Sequence, residues 1–121
     1  MTWIAVALGG ALGSAARHAV NLAFSRFGSG APYATATVNI AGSLVIGVLA
    51  GLTAGGRLHL SNFQRTFVFV GILGGFTTFS SFMLDTLTLW HGQQHELAAT
   101  NVAAQLVLGA IAVFAGYAMA R

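Results

Sequence analysis

"GGFTTFSSF", residues 74–82, interrupts one of the most apolar stretches of a 121-residue chain. Two glycines and four hydroxyl side chains are poor components for the centre of a lipid-buried helix. Three phenylalanines, Phe76, Phe79 and Phe82, recur within it at a spacing of three. The stretch predicts a helix broken partway along its length, with aromatic rings at the break.

The composition says what surrounds that break. The chain is 56% hydrophobic and 6% charged, with a mean hydropathy of +0.80. A soluble domain carries roughly 25% charged residues to cover its surface. This chain does not, so its surface faces a lipid bilayer. A spanning helix needs about 20 mainly apolar residues to cross a core roughly 30 Å thick. Four segments qualify, at 2–24, 33–54, 62–90 and 97–120. They use nearly the whole chain and leave no room for a soluble catalytic domain. The expectation is an all-α membrane protein, a single four-helix transmembrane domain over residues 1–121, with the third helix broken at mid-membrane. The connectors "SRFGSGAP", "GGRLHLS" and "HGQQHE" are short and polar, and the first holds the only proline. The N-terminus lacks a basic region ahead of its apolar run, so the first segment reads as a span and not as a cleaved leader.

Several function classes drop out. The net charge is +3 and the sequence pI about 10.8, but five singly scattered arginines form no patch for a nucleic acid. With no cysteine, thiol chemistry is excluded. His18, His59, His91 and His95 sit in or near different connectors, and only His91 and His95 are four apart. No nucleophile–base pair or metal-ligand cluster emerges, so an enzyme is not expected. With the N-terminus cytoplasmic, Arg57, Arg65 and Arg121 share that side, Arg26 lies on the other, and Arg17 lies within a span. That is a weak positive-inside bias, compatible with insertion both ways.

Helices in lipid associate through close backbone approach at small residues. Ser43, Gly47, Gly51 and Gly55 form such a row in the second segment, with the pairs Gly9/Gly13 in the first and Gly71/Gly75 in the third. Polar groups within spans are costly and ask for a buried partner or an aqueous path. Arg17, followed by His18 and Asn21, either snorkels to the interface or lines a vestibule for an anion. Asn39, near Thr35 and Thr37, either bonds a neighbouring helix or offers its donors to a permeation path. Asn101, Gln105 and Gly109, at steps of four, give one polar track on the fourth helix, with the same two readings. Asp85 and Glu96 are the only acids. Glu96 starts a helix, where the dipole favours it.

Non-helical backbone at membrane depth is tolerated only where protein buries it or a cavity adjoins it. Broken helices offer carbonyls to cations and N–H groups to anions. Phe79 and Phe82 share a helix face, and their ring edges carry the positive part of the quadrupole. They can host an anion without formal charge, although a phenylalanine row at helical spacing also serves packing.

In these features the chain resembles the CrcB/Fluc family of fluoride channels. "GGALGSAARH" in the first helix, "TATVNIAGSLVIG" in the second and "GILGGFTTFSSF" in the third carry the resemblance over nearly the whole chain. It implies passive fluoride efflux and an antiparallel, dual-topology homodimer with two pores along the interface. Phe79 and Phe82 match the family's pore rings and Asn39 its pore asparagine. Thr78, Ser80 and Ser81 match hydroxyls beside the rings, and Arg17 the first-helix arginine of the vestibule. The backbone carbonyls of Gly74 and Thr77, from both subunits, match the ligands of a central structural Na⁺. Asn101 and Gln105 stand on the fourth-helix track where the family commonly carries Tyr and Ser, so the hydroxyl chemistry there is replaced. The resemblance also implies a multi-pass protein of a bacterial inner or plasma membrane. Weak successive sites let a small, strongly hydrated anion enter and leave, and a membrane potential supplies about 2.3 kcal/mol per charge per 100 mV. The alternative is a small multidrug-type proton-coupled exporter. Such exporters are similar in length but carry a first-helix carboxylate, and the first segment here has no acid.

Overall fold

The computed structural model describes residues Met1–Arg121 and contains helices and connectors only. Helix α1 spans Thr2–Arg26 and α2 Ala31–Ala54. The third body is composite: α3 (Asn62–Arg65), a π-helix (Thr66–Leu73), α4 (Gly74–Phe76) and, after a two-residue break, α5 (Phe79–His91). Helix α6 spans His95–Ala120. The chain thus folds into four long helical bodies. Three of them, Ala31–Ala54, Asn62–His91 and His95–Ala120, are long and apolar enough to cross a membrane. Helix α1, at 25 residues, has the length, but Ser14, Arg17, His18 and Asn21 dilute its apolar character.

The connectors are tight because their chemistry is local. Three helices end in the same pattern, in which two successive N–H groups beyond the last turn bond back to its carbonyls. Gly28 and Ser29 donate to Ser25 and Phe24, Gly56 and Arg57 to Thr53 and Leu52, and Gln93 and Gln94 to Trp90 and Leu89. The motif needs a left-handed residue, supplied by Gly28, Gly56 and Gln93, whose φ values are 72°, 69° and 62°. Pro32 sits in the first turn of α2, where its missing N–H costs nothing. Ser61 and Gln64 close a reciprocal cap at the start of α3.

The small-residue rows meet one another. Alpha carbons of Gly9 and Gly71 face each other, and a Cβ at Gly75 would lie 2.7 Å from the Gly10 carbonyl oxygen. The π-helix and α4 therefore pack on α1 backbone to backbone. On the other side α2 packs along α6, with Gly47 and Gly51 against the carbonyls of Val113 and Tyr117, and Gly116 against that of Leu44. Only 18 of 121 residues are buried, and Val38 has the largest fully buried side chain. Leu8, Leu12, Val70, Leu106, Ile111 and Phe114 instead point outward, as lipid-facing side chains do.

The break does not fall at the glycines. Gly74 is helical, at φ −64° and ψ −35°. Thr77 (φ −79°, ψ 157°) and Thr78 (φ −153°, ψ 122°) are the extended residues. The π-helix ahead of them, nearly two turns long, leaves no periodicity signal in so uniformly apolar a run.

Candidate functional site

The break is built by side chains taking over backbone partners. The Thr77 N–H donates to the Leu73 carbonyl at 3.0 Å, and its hydroxyl donates to the same oxygen at 2.9 Å. In a continuous α-helix the Thr78 N–H would bond the Gly74 carbonyl. Here it donates to Asn39 Oδ1 at 2.8 Å. Asn39 Nδ2 answers by donating to the Thr78 carbonyl at 3.0 Å and to Gln105 Oε1 at 2.7 Å. The Ser81 N–H, which would otherwise reach the Thr77 carbonyl, donates to Thr78 Oγ1 at 3.2 Å, so Thr78 caps α5. The Thr78 hydroxyl donates to Ser81 Oγ at 3.1 Å and lies 3.4 Å from Ser80 Oγ.

Phe79 and Phe82 open α5 on one face, ring centroids 5.7 Å apart and planes at 77°. Phe82 is 4% exposed, whereas Phe79 is 71% exposed and stands at the rim. Both border a cavity of about 380 Å³ whose polar wall is Asn39, Ser43, Thr77 and Thr78 and whose floor includes Gly74. A second cavity, of about 420 Å³, lies between the end of α1, the start of α2 and α5. Asn21, Ser25, Ser29, Thr35, Ser81 and Asp85 border it. Thr78 lines the first cavity and its hydrogen-bonded partner Ser81 lines the second. Asp85 Oδ2 is out of contact with water and has no hydrogen-bond partner.

The structure brings Asn39, Thr78, Ser80, Ser81, Phe79, Phe82, Gln105 and Asn101 into one region. Arg17 is half-buried on α1 but does not line the second cavity, to which α1 contributes Asn21, one turn further on, with Phe24 and Ser25. Asn101 and Gln105 are both buried, and Gln105 Nε2 donates to Asn101 Oδ1 at 3.0 Å. Gly109, next on that face, lies against Ser43. Thr86, which sequence reading passed over, accepts from Asn101 Nδ2 at 3.0 Å. Its position one turn after Phe82 was the available signal.

A bundle with a seam of bare backbone, a helix interrupted at depth and polar side chains gathered at the interruption defines a polytopic membrane protein. Residues 4–117 match the family described as "CrcB-like protein, Camphor Resistance (CrcB)". The chain belongs to that family. It is 50% identical to a protein of Paracoccus denitrificans (strain Pd 1222) named "Fluoride-specific ion channel FluC", over 99% of this chain and 94% of the relative. It is 46% identical to a protein of the same name from Agrobacterium fabrum, over 96% and 93%. "Fluoride-specific ion channel FluC 2" of Nitrobacter hamburgensis is 42% identical, over 100% and 98%. Each of these relatives is named as a fluoride channel, and the exporter reading is left without support.

Proposed function

We propose that this chain is a fluoride channel that lets the anion leave the cell passively. The observation that carries the reading is full-length similarity to relatives named for that activity, joined to a break whose donors and rings adjoin a cavity. Fluoride would pass Phe79 and Phe82, exchanging water for ring edges and for the hydroxyls of Thr78, Ser80 and Ser81. The pair, with Phe82 buried and Phe79 exposed at the rim, fits a pore completed by a second subunit, in the antiparallel homodimer that the weak charge bias permits. The second cavity is its vestibule, with Arg17 one turn beyond Asn21 drawing anions toward it. Asn39 belongs to the pore wall, although both its N–H groups are spent on Thr78 and Gln105.

A central Na⁺ fits the break. Gly74 and Thr77 are among the residues whose carbonyls lose their helical donors at the break, since the N–H groups of Thr78 and Ser81 are diverted to side chains. Those carbonyls, from two subunits, would hold a hard monovalent cation that ties the dimer together. The membrane is the bacterial inner or plasma membrane.

Reconstituted protein should release fluoride from liposomes once a potassium ionophore clamps the voltage, with no pH gradient. Equal chloride and fluoride rates, or a strict need for a proton gradient, would overturn the reading. Reporter fusions at the C-terminus should appear on both sides of the membrane, and a single orientation would remove the antiparallel dimer.

A further inference from the structure

The side chains behind the break form a directed chain of hydrogen bonds. The Thr78 N–H donates to Asn39 Oδ1, Asn39 Nδ2 to Gln105 Oε1, and Gln105 Nε2 to Asn101 Oδ1. Asn101 Nδ2 then donates to Thr86 Oγ1, and the Thr86 hydroxyl donates to the Phe82 carbonyl at 2.8 Å. Every bond runs in the same sense, so each polarises the next. Both ends set that sense: at the near end the Thr78 N–H can only donate to Asn39 and the Thr78 carbonyl only accept from it, and the far end agrees. A backbone carbonyl carries no proton, so Thr86 must donate to Phe82 and is left to accept from Asn101. Asn101 must then present its oxygen to Gln105, and Gln105 its oxygen to Asn39. Asn39 is thereby held with its NH₂ toward Gln105 and its oxygen toward the Thr78 N–H. Flipping the Asn39 amide would face oxygen to oxygen at Gln105 and nitrogen to nitrogen at Thr78.

We propose that Gln105 is a positioning residue: through Asn39 it holds Thr78 in its extended conformation and so fixes the start of α5, where Phe79 and Phe82 sit. The fourth-helix amides are on this view a brace for the break, and the ion does not touch them. The flux part of the inference rests on the channel reading; the structural part does not.

Amide hydrogen exchange on protein in lipid nanodiscs tests the structural part directly. In Gln105→Met, the Thr78 amide should exchange at least about tenfold faster, the scale of one lost hydrogen bond, while amides in the middle of α2 and α6 keep their protection. Thr86→Val, nearly isosteric and remote from Thr78, should speed the same amide by a few-fold. Fluoride flux should fall about tenfold in Gln105→Met, and adding Gln105→Met to Asn39→Ala should lower flux no further than Asn39→Ala alone, because Gln105 acts only through Asn39. Unchanged Thr78 exchange in both single variants overturns the brace. Flux losses that multiply in the double variant overturn it too, since they would mean that Gln105 meets the ion itself. A wild-type protein that moves no fluoride would sink the channel reading and leave the exchange result to decide the brace.

Discussion

Gly74 and Gly75 stand three residues before Thr77 and Thr78, and the two pairs behave oppositely. The glycines, with the freest backbone in the segment, remain helical; the threonines, β-branched and stiffer, are extended. In water a helix can stop wherever its backbone is loose, because solvent satisfies the freed groups. In hydrocarbon an unpaired N–H or C=O costs several kcal/mol, so the break falls where side chains can replace the backbone partners. Asn39 and Thr78 supply those replacements. The glycines serve a different need, which is contact. A Cβ on Gly75 would meet Gly10 and Ser14 backbone on α1. Flexibility did not locate the break; hydrogen-bond supply did.

If glycines act as contact surface, filling one should have the largest effect of any single change. In Gly47→Val the new carbons run into the Val113 carbonyl, part of a helix that cannot bend aside. Overpacking typically costs 1–3 kcal/mol and more where backbone must move. We expect no monodisperse protein from Gly47→Val on size exclusion. Gly10→Ala, with open space around the site, should purify like the wild type. Equal behaviour of the two variants would mean that the seam is not what joins α2 to α6.

The threonine side of the comparison breaks through Asn39. Asn39→Ala strands the N–H and carbonyl of Thr78 and one acceptor on Gln105. Each unsatisfied buried group costs about 1–3 kcal/mol, so a loss of about 3 kcal/mol is expected, read as a fall in the thermal denaturation midpoint in detergent. A loss near zero would show that the break persists without its side-chain partners.

The rings test function more than stability. Phe79→Met and Phe82→Met keep volume roughly constant and should cost less than about 1.5 kcal/mol, mostly at buried Phe82 and hardly at all at exposed Phe79. Methionine lacks the positive ring edge, so fluoride efflux per unit of protein should fall by far more than stability does. Wild-type flux in both variants, with elution on size exclusion unchanged, would return the rings to packing.

How much of this was readable beforehand depends on how local each cause is. The glycine rows stood out at steps of four, and their meeting across helices follows from the need for close approach. The phenylalanine spacing and the polar face of α6 were equally plain, because helical period places them. The true break residues were not, since Thr78 pairs with Asn39, 39 positions earlier, and Asn39 in turn bonds Gln105, 66 positions later. Nothing local in "TFVFVGIL" separates a π-helix from an α-helix, because every residue in it is apolar or small. Thr86 was missed for the same reason as the brace itself: a hydroxyl on a spanning helix ordinarily bonds its own backbone, as Thr86 also does. Its second bond, from Asn101, is a tertiary fact.

The smallest effect should come from Gly74, and it separates the two roles that adjacent glycines can play. A Cβ at Gly75 would lie 2.7, 3.1 and 3.2 Å from Gly10 O, Gly10 Cα and Ser14 N, all backbone atoms of α1. At Gly74 the nearest atom is the Phe69 carbonyl oxygen at 3.8 Å, an ordinary contact. Both residues lie in the same short helix, so the intrinsic preference for alanine, up to about 1 kcal/mol, acts alike on each. Gly74→Ala should therefore hold or slightly raise the denaturation midpoint, and Gly75→Ala should lower it by the cost of overpacking. The carbonyl proposed to face Na⁺ survives in Gly74→Ala, so the shift in midpoint between Na⁺ and N-methylglucamine should match the wild type. A Gly74→Ala variant as unstable as Gly75→Ala would mean that Gly74 needs its bare backbone after all, and that the break extends back into the glycines.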